Sequence, residues 1–484
     1  MNKTMQKITA LAIAATIGGG ALLPFNVMAS ENATEQAIRE MVQLGVLHGY
    51  EDQSMKPEKP VTQAELAKMI VLSLQLQTEG SVLKDQEHRN KWYTSYINTA
   101  VASGILEEGK LQPNQPVASD EFAAALAKAL QRDGLSIKHW MKGIVTGQNH
   151  VTRGEASQIL LLARKAVRSQ EAQVVSVKAL NAITLEVTFS APLTLNDESI
   201  EESAKNFVFD GGLTIVNQPR LKTGALQTYI VPVTTMSANT SYTLSYKGKQ
   251  QHTFVSSDEK IRMNKVRQVT SDTFEVESLR EEGVVDYGYI ISAYAGGRGK
   301  DAFILDENNS YDGQPFQIIS SLRNRTATLT PEGGTPVTVN YVGFTQSTDG
   351  KQEPKFRLPG GAALTPGLKY TVTSDWFDLK SGSFIAEEIA PVTIASASQV
   401  DGKTIHVQLS EDPQDELFAF RSVKLIGSDQ SEVTAQYRLQ SRKGAVGVFD
   451  IQNGGQLAPG VSYTVEPIGA WAVAKNVVLK AIGQ

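Results

Sequence analysis

The 484-residue chain has no cysteine. Neither a disulfide nor a thiolate metal centre can therefore hold it, and each folded unit must be large enough to stabilise itself by burial. It has no basic excess either: 46 Lys and Arg stand against 51 Asp and Glu, for a formal net charge of −5. With no basic stripe to neutralise phosphates, the charge balance disfavours nucleic acid as the partner of the whole chain, and none is expected. Its six histidines, at 48, 88, 139, 150, 252 and 406, form no His-Glu-x-x-His pair, and no Gly-x-Ser-x-Gly elbow occurs. Ser81-Val-Leu-Lys84, Ser237-Ala-Asn239 and Lys222-Thr-Gly224 imitate the elements of a penicillin-recognising serine enzyme, but in the wrong order and in different domains. Beyond the first 29 residues no stretch is apolar for long enough to cross a bilayer. What remains is a globular composition, 41% apolar and 20% charged, in a chain long enough for several domains.

At the front, Lys3 and Lys7 precede an apolar run from Ile8 to Leu23, and Val27-Met28-Ala29 leads into a polar start at Ser30. This pattern predicts a secretory signal peptide over residues 1–29. The closing NVVLKAIGQ carries no hydrophobic tail, so the exported protein is expected to stay on the cell by non-covalent attachment.

Three stretches repeat one pattern: GVLHGYEDQSMKPEKPVTQAELAKM from Gly45, SGILEEGKLQPNQPVASDEFAAAL from Ser103 and KGIVTGQNHVTRGEASQIL from Lys142. Each reads as a helix end, a turn and a fresh helix start. Such units cannot bury their apolar faces alone and must stack on one another, which predicts an all-α body over residues 30–170, with repeats near 35–76, 84–131 and 135–168. Near Glu171 helical spacing gives way to alternation, as in VVSVKALNAITLEVTFSAP from Val174. Openings at Thr184, Thr273 and Thr404 and Tyr-Thr strands after Ser241, Lys369 and Ser462 recur three times. They predict all-β, immunoglobulin-like sandwiches over 172–258, 259–389 (elaborated) and 390–484.

The front repeats resemble S-layer homology domains in their helix, Gly-Ile/Val-Leu turn, Gly-Tyr loop and second helix opened by Thr-Arg-Ala-Glu. The rear resembles the immunoglobulin-like domains that follow such modules in surface-layer proteins. The resemblance implies a pseudo-threefold module whose grooves bind secondary cell-wall polysaccharide linked to peptidoglycan, often through a pyruvylated sugar. It implies a secreted protein of the cell surface or S-layer with no catalysis of its own, whose β domains form a stalk or self-associate in a lattice. A surface adhesin, recognising a ligand through loops such as Tyr294–Arg298, and a wall-remodelling enzyme that borrows the anchor are the alternatives.

In VTRGEASQIL, Thr152 and Glu155 suit a capping box, and Thr62 with Glu65 repeats it. Arg153 gains nothing from the positive end of a helix, but beside free helix-end amides it would make an anion pocket for a carboxylate. Gln63 replaces that cation in the first repeat, and Ala118-Ser119-Asp120-Glu121 loses both cation and threonine in the second, so binding is expected mainly beside Arg153. Trp92 and Trp140 suit either sugar stacking or burial. Gly49 suits the bend of the Gly-Tyr loop, and Asp52 could meet sugar hydroxyls. Asp306, Asn308, Ser310 and Asp312 offer alternate oxygen donors for calcium, or equally the makings of a surface turn.

Overall fold

The computed structural model describes residues 31–77, 90–146, 149–249, 251–279, 285–286, 304–343, 353–413 and 418–482. The predicted leader and the Tyr294–Arg298 loop lie outside them. Six helices build the front: α1 (Glu31–Gln43), α2 (Gln63–Ser73), α3 (Thr94–Ala102), α4 (Ser119–Leu130), α5 (Gly134–Met141) and α6 (Arg153–Lys165). Helices α1, α3 and α5 end at Gly45, Gly104 and Gly143, whose φ values of 70°, 69° and 84° suit glycine because no Cβ clashes there. The next residues, Val46, Ile105 and Ile144, turn inward and are buried.

This front is not the all-α module expected from the helical spacing. Each of α2, α4 and α6 is entered from an extended segment, and the three segments meet on one axis. Val117 N–H donates to Val61 O (2.8 Å), Val61 N–H to Val151 O (2.9 Å) and Val151 N–H to Val117 O (3.2 Å), closing a ring. Bridges Pro60 to Thr152, Thr62 to Pro116 and Ala118 to His150 flank it. The physical cause is local: Pro60 and Pro116 push the residues before them out of the α region, and the β-branched valines favour extended backbone. The short helices pair between repeats, α2 with α3, α4 with α5, and α6 back onto α1. At α6 the approach is so close that a Cβ on Gly154 would lie 2.4 Å from Thr34 Cγ2. A fragment of residues 31–77 is therefore expected to show no cooperative melt by circular dichroism, whereas 31–170 shows one. Helices of 13 and 11 residues are marginal without their partners.

Three β-rich cores follow. The first joins a four-stranded sheet (Val174–Asn181, Thr184–Phe189, Thr228–Pro232, Arg220–Leu221) to a three-stranded one (Phe207–Phe209, Ser241–Tyr246, Gln251–Val255). A short helix, α7 (Ile200–Asn206), connects the strand Thr184–Phe189 of the first sheet to Phe207–Phe209 of the second. Between them Phe189, Phe207 and Tyr246 meet edge to face at 5.0–5.9 Å. The second and third cores are each enclosed by one eight-stranded sheet of the same topology. The order in the second is Phe377–Ser381, Ile261–Gln268, Thr273–Ser278, Lys355–Arg357, Val337–Tyr341, Thr326–Pro331, Lys369–Thr373, Ser383–Ile385. In the third it is Ala472–Ala474, Val392–Asp401, Thr404–Leu409, Val446–Ile451, Glu432–Tyr437, Ser422–Gly427, Ser462–Pro467, Val478–Lys480. Each sheet curls until its ends approach, giving a barrel-like sandwich. The recurring Tyr-Thr strand has a shared purpose: Tyr242, Tyr370 and Tyr463 each accept, at the hydroxyl, the N–H of the residue five positions earlier (3.0, 2.9 and 2.9 Å). This pins the turn to the strand, as in a tyrosine corner.

Arginines tie the parts together. Arg132, after α4, donates to Leu226 O (3.0 Å) and Lys222 O (3.1 Å) and to Ala225 O. Arg168, after α6, reaches Leu193 O (2.6 Å) and Glu198 (2.5 Å). The β section thus leaves from the C-terminal ends of α4 and α6, opposite the valine ring.

Candidate functional site

At the valine ring, both capping boxes are formed. Thr62 Oγ1 accepts Glu65 N–H at 3.3 Å while Glu65 Oε2 accepts Thr62 N–H at 3.0 Å. Thr152 and Glu155 repeat this at 3.3 and 2.9 Å. One carboxylate oxygen thereby finishes the helix and the other is left to hold a loop: Glu155 Oε1 accepts Thr146 N–H at 2.7 Å, and Glu65 Oε1 accepts the Tyr50 hydroxyl at 2.6 Å.

The free helix-end amides expected beside Arg153 are occupied. Arg153 N–H donates to Lys59 O (3.0 Å) and Gly154 N–H to Pro57 O (2.9 Å), from the first repeat's loop. Gln63 N–H and Ala64 N–H do the same to Gln115 O and Pro113 O of the second repeat. Any anion recognition here must therefore come from side chains.

Arg153 is buried, 5% exposed, and bridges repeats. Its Nε donates to Met55 O (3.0 Å), Nη2 to His48 O (3.1 Å) and Nη1 to Glu65 Oε1 (3.3 Å), while its guanidinium lies 4.8 Å from the Tyr50 ring centre. Lys59 and Lys56 cover the same ring at 4.4 and 4.7 Å, and Lys59 Nζ donates to the Tyr50 hydroxyl at 2.9 Å. Lys68, on α2, lies 3.3 Å from His48 Nδ1. Three cations thus surround one tyrosine, with Lys68 beside the neighbouring His48 and Tyr96 rings, against the carboxylates of Glu65 and Asp52. Burial first, and then the Arg153 charge, lower the pKa of Lys68. Burial opposes the ionisation of Glu65, but the Tyr50 hydroxyl, the Thr62 amide, Lys59 and Arg153 together hold its carboxyl below the ordinary value.

In the equivalent groove of the second repeat a neutral amide stands where Arg153 stands here. Gln63, buried, donates to Glu121 Oε1 (3.1 Å) and accepts Gln112 N–H (2.7 Å), so both ends of its amide are engaged. Other sequence-predicted residues are scattered. Asp52 is exposed, holds Ser54 N–H at 3.0 Å and pairs with Lys56 at 2.9 Å. Gly49 packs against Gln53, whose carbonyl oxygen would lie 3.2 Å from an added Cβ. Trp92 is exposed. Trp140 is buried at the joint with the first β core, its Nε1 donating to Gly224 O at 2.7 Å. Asp306 Oδ1 accepts the N–H groups of Asn308 and Ser310, both at 2.8 Å, and Asp312-Gly313 form the two-residue turn of a hairpin. Among the described residues no three His, Asp or Glu side chains are grouped to hold a metal ion. Lys56, Lys59 and Lys68 were not singled out by sequence reasoning. The first two flank Pro57 and Pro60, and Lys68 stands one helical turn beyond Glu65, the only signals they carry.

Residues 30–67 match the S-layer homology domain family. The chain is similar to a surface-layer 125 kDa protein of Lysinibacillus sphaericus (26% identical over 210 residues, 37% of this chain and 18% of that protein). It is also similar to the S-layer protein sap of Bacillus anthracis (24% over 204 residues, 35% and 25%) and to an exoglucanase of Acetivibrio thermocellus (24% over 165 residues, 30% and 15%). It thus spans a quarter or less of the length of these curated relatives. Among solved structures, surface layer protein SbsC (domains 1–6) aligns over 94% of this chain and 73% of that one, at 10% identity and a TM-score of 0.15. The family match and the S-layer relatives indicate a secreted protein of the cell surface, associated with the cell wall. No described helix is long and apolar enough to cross a membrane.

Proposed function

We propose that the chain is a non-catalytic wall anchor: the groove around Tyr50 binds an acidic group of a secondary cell-wall polysaccharide, of which a pyruvyl ketal is the best fit, and the β section stands off as a stalk or lattice element. The observation that carries this reading is the gathering of Lys56, Lys59 and Arg153 around Tyr50, with Lys68 beside His48 of the same loop. Buried Arg153 fixes the loop, and the half-exposed lysines supply mobile charge that a sugar carboxylate can neutralise. Polarity supports it too. The groove sits at the N-terminal end of α6 and the β section leaves from the other, about 20 Å away for a 13-residue helix. The enzymes among the relatives match over 15% of their length or less, which favours a shared anchor over shared chemistry.

The double reversal Lys59→Glu/Lys68→Glu tests the reading. Co-sedimentation with purified walls is expected to fall at least tenfold at low salt, with the thermal melt retained, and wild-type binding to weaken as salt is raised. Equal sedimentation of the folded double variant would remove the groove from the mechanism.

A further inference from the structure

Five cationic residues are buried as whole residues among the described ones: Arg153, Lys222, Arg325, Lys355 and Arg421. Four have a carboxylate within 4 Å, respectively Glu65, Glu186, Glu275 and Asp272. Arg325, only 4% exposed, has none among the described residues. Its Nε donates to Ser321 O (3.0 Å) and its Nη2 to Val233 O (2.9 Å), and Nη1 has no hydrogen bond there. A buried guanidinium that meets only carbonyl dipoles is costly, because they offset only part of the lost hydration of its charge. Burial accordingly pushes its pKa down to about 10, with exposed Asp375 opposing from beyond ion-pair distance.

Arg325 lines a cleft of about 540 Å³ between the first and second β cores. Its walls include Thr214, Thr234, Thr235 and Asn324, and Arg323 stands exposed beside them. The volume is in the range of small-ligand sites, and hydroxyl and amide groups around a cation suit a polyhydroxylated acid. Counting Asp375, the cleft carries one net positive charge. We infer that this cleft is a second binding site, for a carboxylate-bearing saccharide, separate from the groove around Tyr50 and not dependent on it.

Titration calorimetry of the full chain in the Lys59→Glu/Lys68→Glu background, with digalacturonate as probe, isolates the cleft from the first groove. Binding is expected at least tenfold tighter than that of neutral lactose or of a Glu-Glu dipeptide. Arg325→Gln, which removes the charge but keeps an amide donor for the carbonyls, and Arg323→Gln should each weaken it about tenfold. Thr235→Trp, filling the cleft from a half-buried wall position, should abolish it with the melt unchanged. Equal affinity for lactose or for the dipeptide would overturn the proposal. So would undiminished binding by the folded Thr235→Trp variant, whatever Arg325→Gln does to stability.

Discussion

Replacing Arg421 by alanine is expected to lower the stability of the last two β units by about 3–5 kcal/mol, because it strands a buried carboxylate. Asp272 is 1% exposed and takes two hydrogen bonds from Arg421, at 2.6 and 2.9 Å, across the joint between them. Around this pair the joint is close. Ser271 Oγ donates to Ala470 O at 3.0 Å and Arg357 Nη1 to Ala419 O at 2.8 Å. A Cβ on Gly361 would lie 2.7 Å from Gly469 Cα, so water cannot readily enter to hydrate an orphaned carboxylate. Urea unfolding followed through Trp471, which lies 5.7 Å from the Arg421 guanidinium, measures the loss.

The same pair sets a pH dependence. Burial alone would raise the pKa of Asp272, but Arg421 outweighs it and holds the carboxyl below 3.8. A lowered folded pKa means that the stabilisation is complete above the unfolded value and is lost as pH falls through the folded one. The gap between wild type and Arg421→Ala should therefore be full at neutral pH and shrink as pH drops below 3.8. A gap that stays constant down to strong acid would show that the lost stability came from packing rather than from the charge pair.

What the sequence disclosed of this molecule depended on how local the cause was. The capping boxes at Thr62 and Thr152 involve residues three apart, and the helix ends at Gly45, Gly104 and Gly143 depend on one backbone angle, so both were legible. Alternation placed the strands, since a period of two marks one buried face. It could not say which edges pair, and so could not tell the two-sheet first β core from the single curled sheets behind it. The valine ring was hidden for the same reason: the prolines and valines of a repeat favour extended backbone, but Val61, Val117 and Val151 meet only after three repeats have closed on each other, and nothing within one repeat records that pairing. Trp140 was ambiguous because its partner, Gly224 O, lies 84 residues away. Lys68 went unnoticed because its role depends on where the loop of His48 falls across α2.

Arg153 poses the sharper question, since it staples the repeats beneath the proposed binding groove. Arg153→Ala is expected to destabilise the anchor by about 3–5 kcal/mol, leaving Glu65 beside Tyr50 without its guanidinium, and to lower wall binding by an order of magnitude or more. A fall in both quantities cannot separate the roles, because a loosened loop would also misplace Lys56 and Lys59. Glu65→Gln does separate them. Glutamine can keep the capping box with Thr62, so the change chiefly removes the negative charge that Arg153 and Lys59 now share. If the groove receives an anion, deleting its own carboxylate should raise affinity for walls severalfold while lowering the melting temperature by a few degrees. If the guanidinium is only a staple, Glu65→Gln should lower stability and binding together, as Arg153→Ala does. Opposite signs of the two effects in Glu65→Gln, measured by co-sedimentation below the melting temperature, are therefore the signature of a site whose resident carboxylate competes with its ligand.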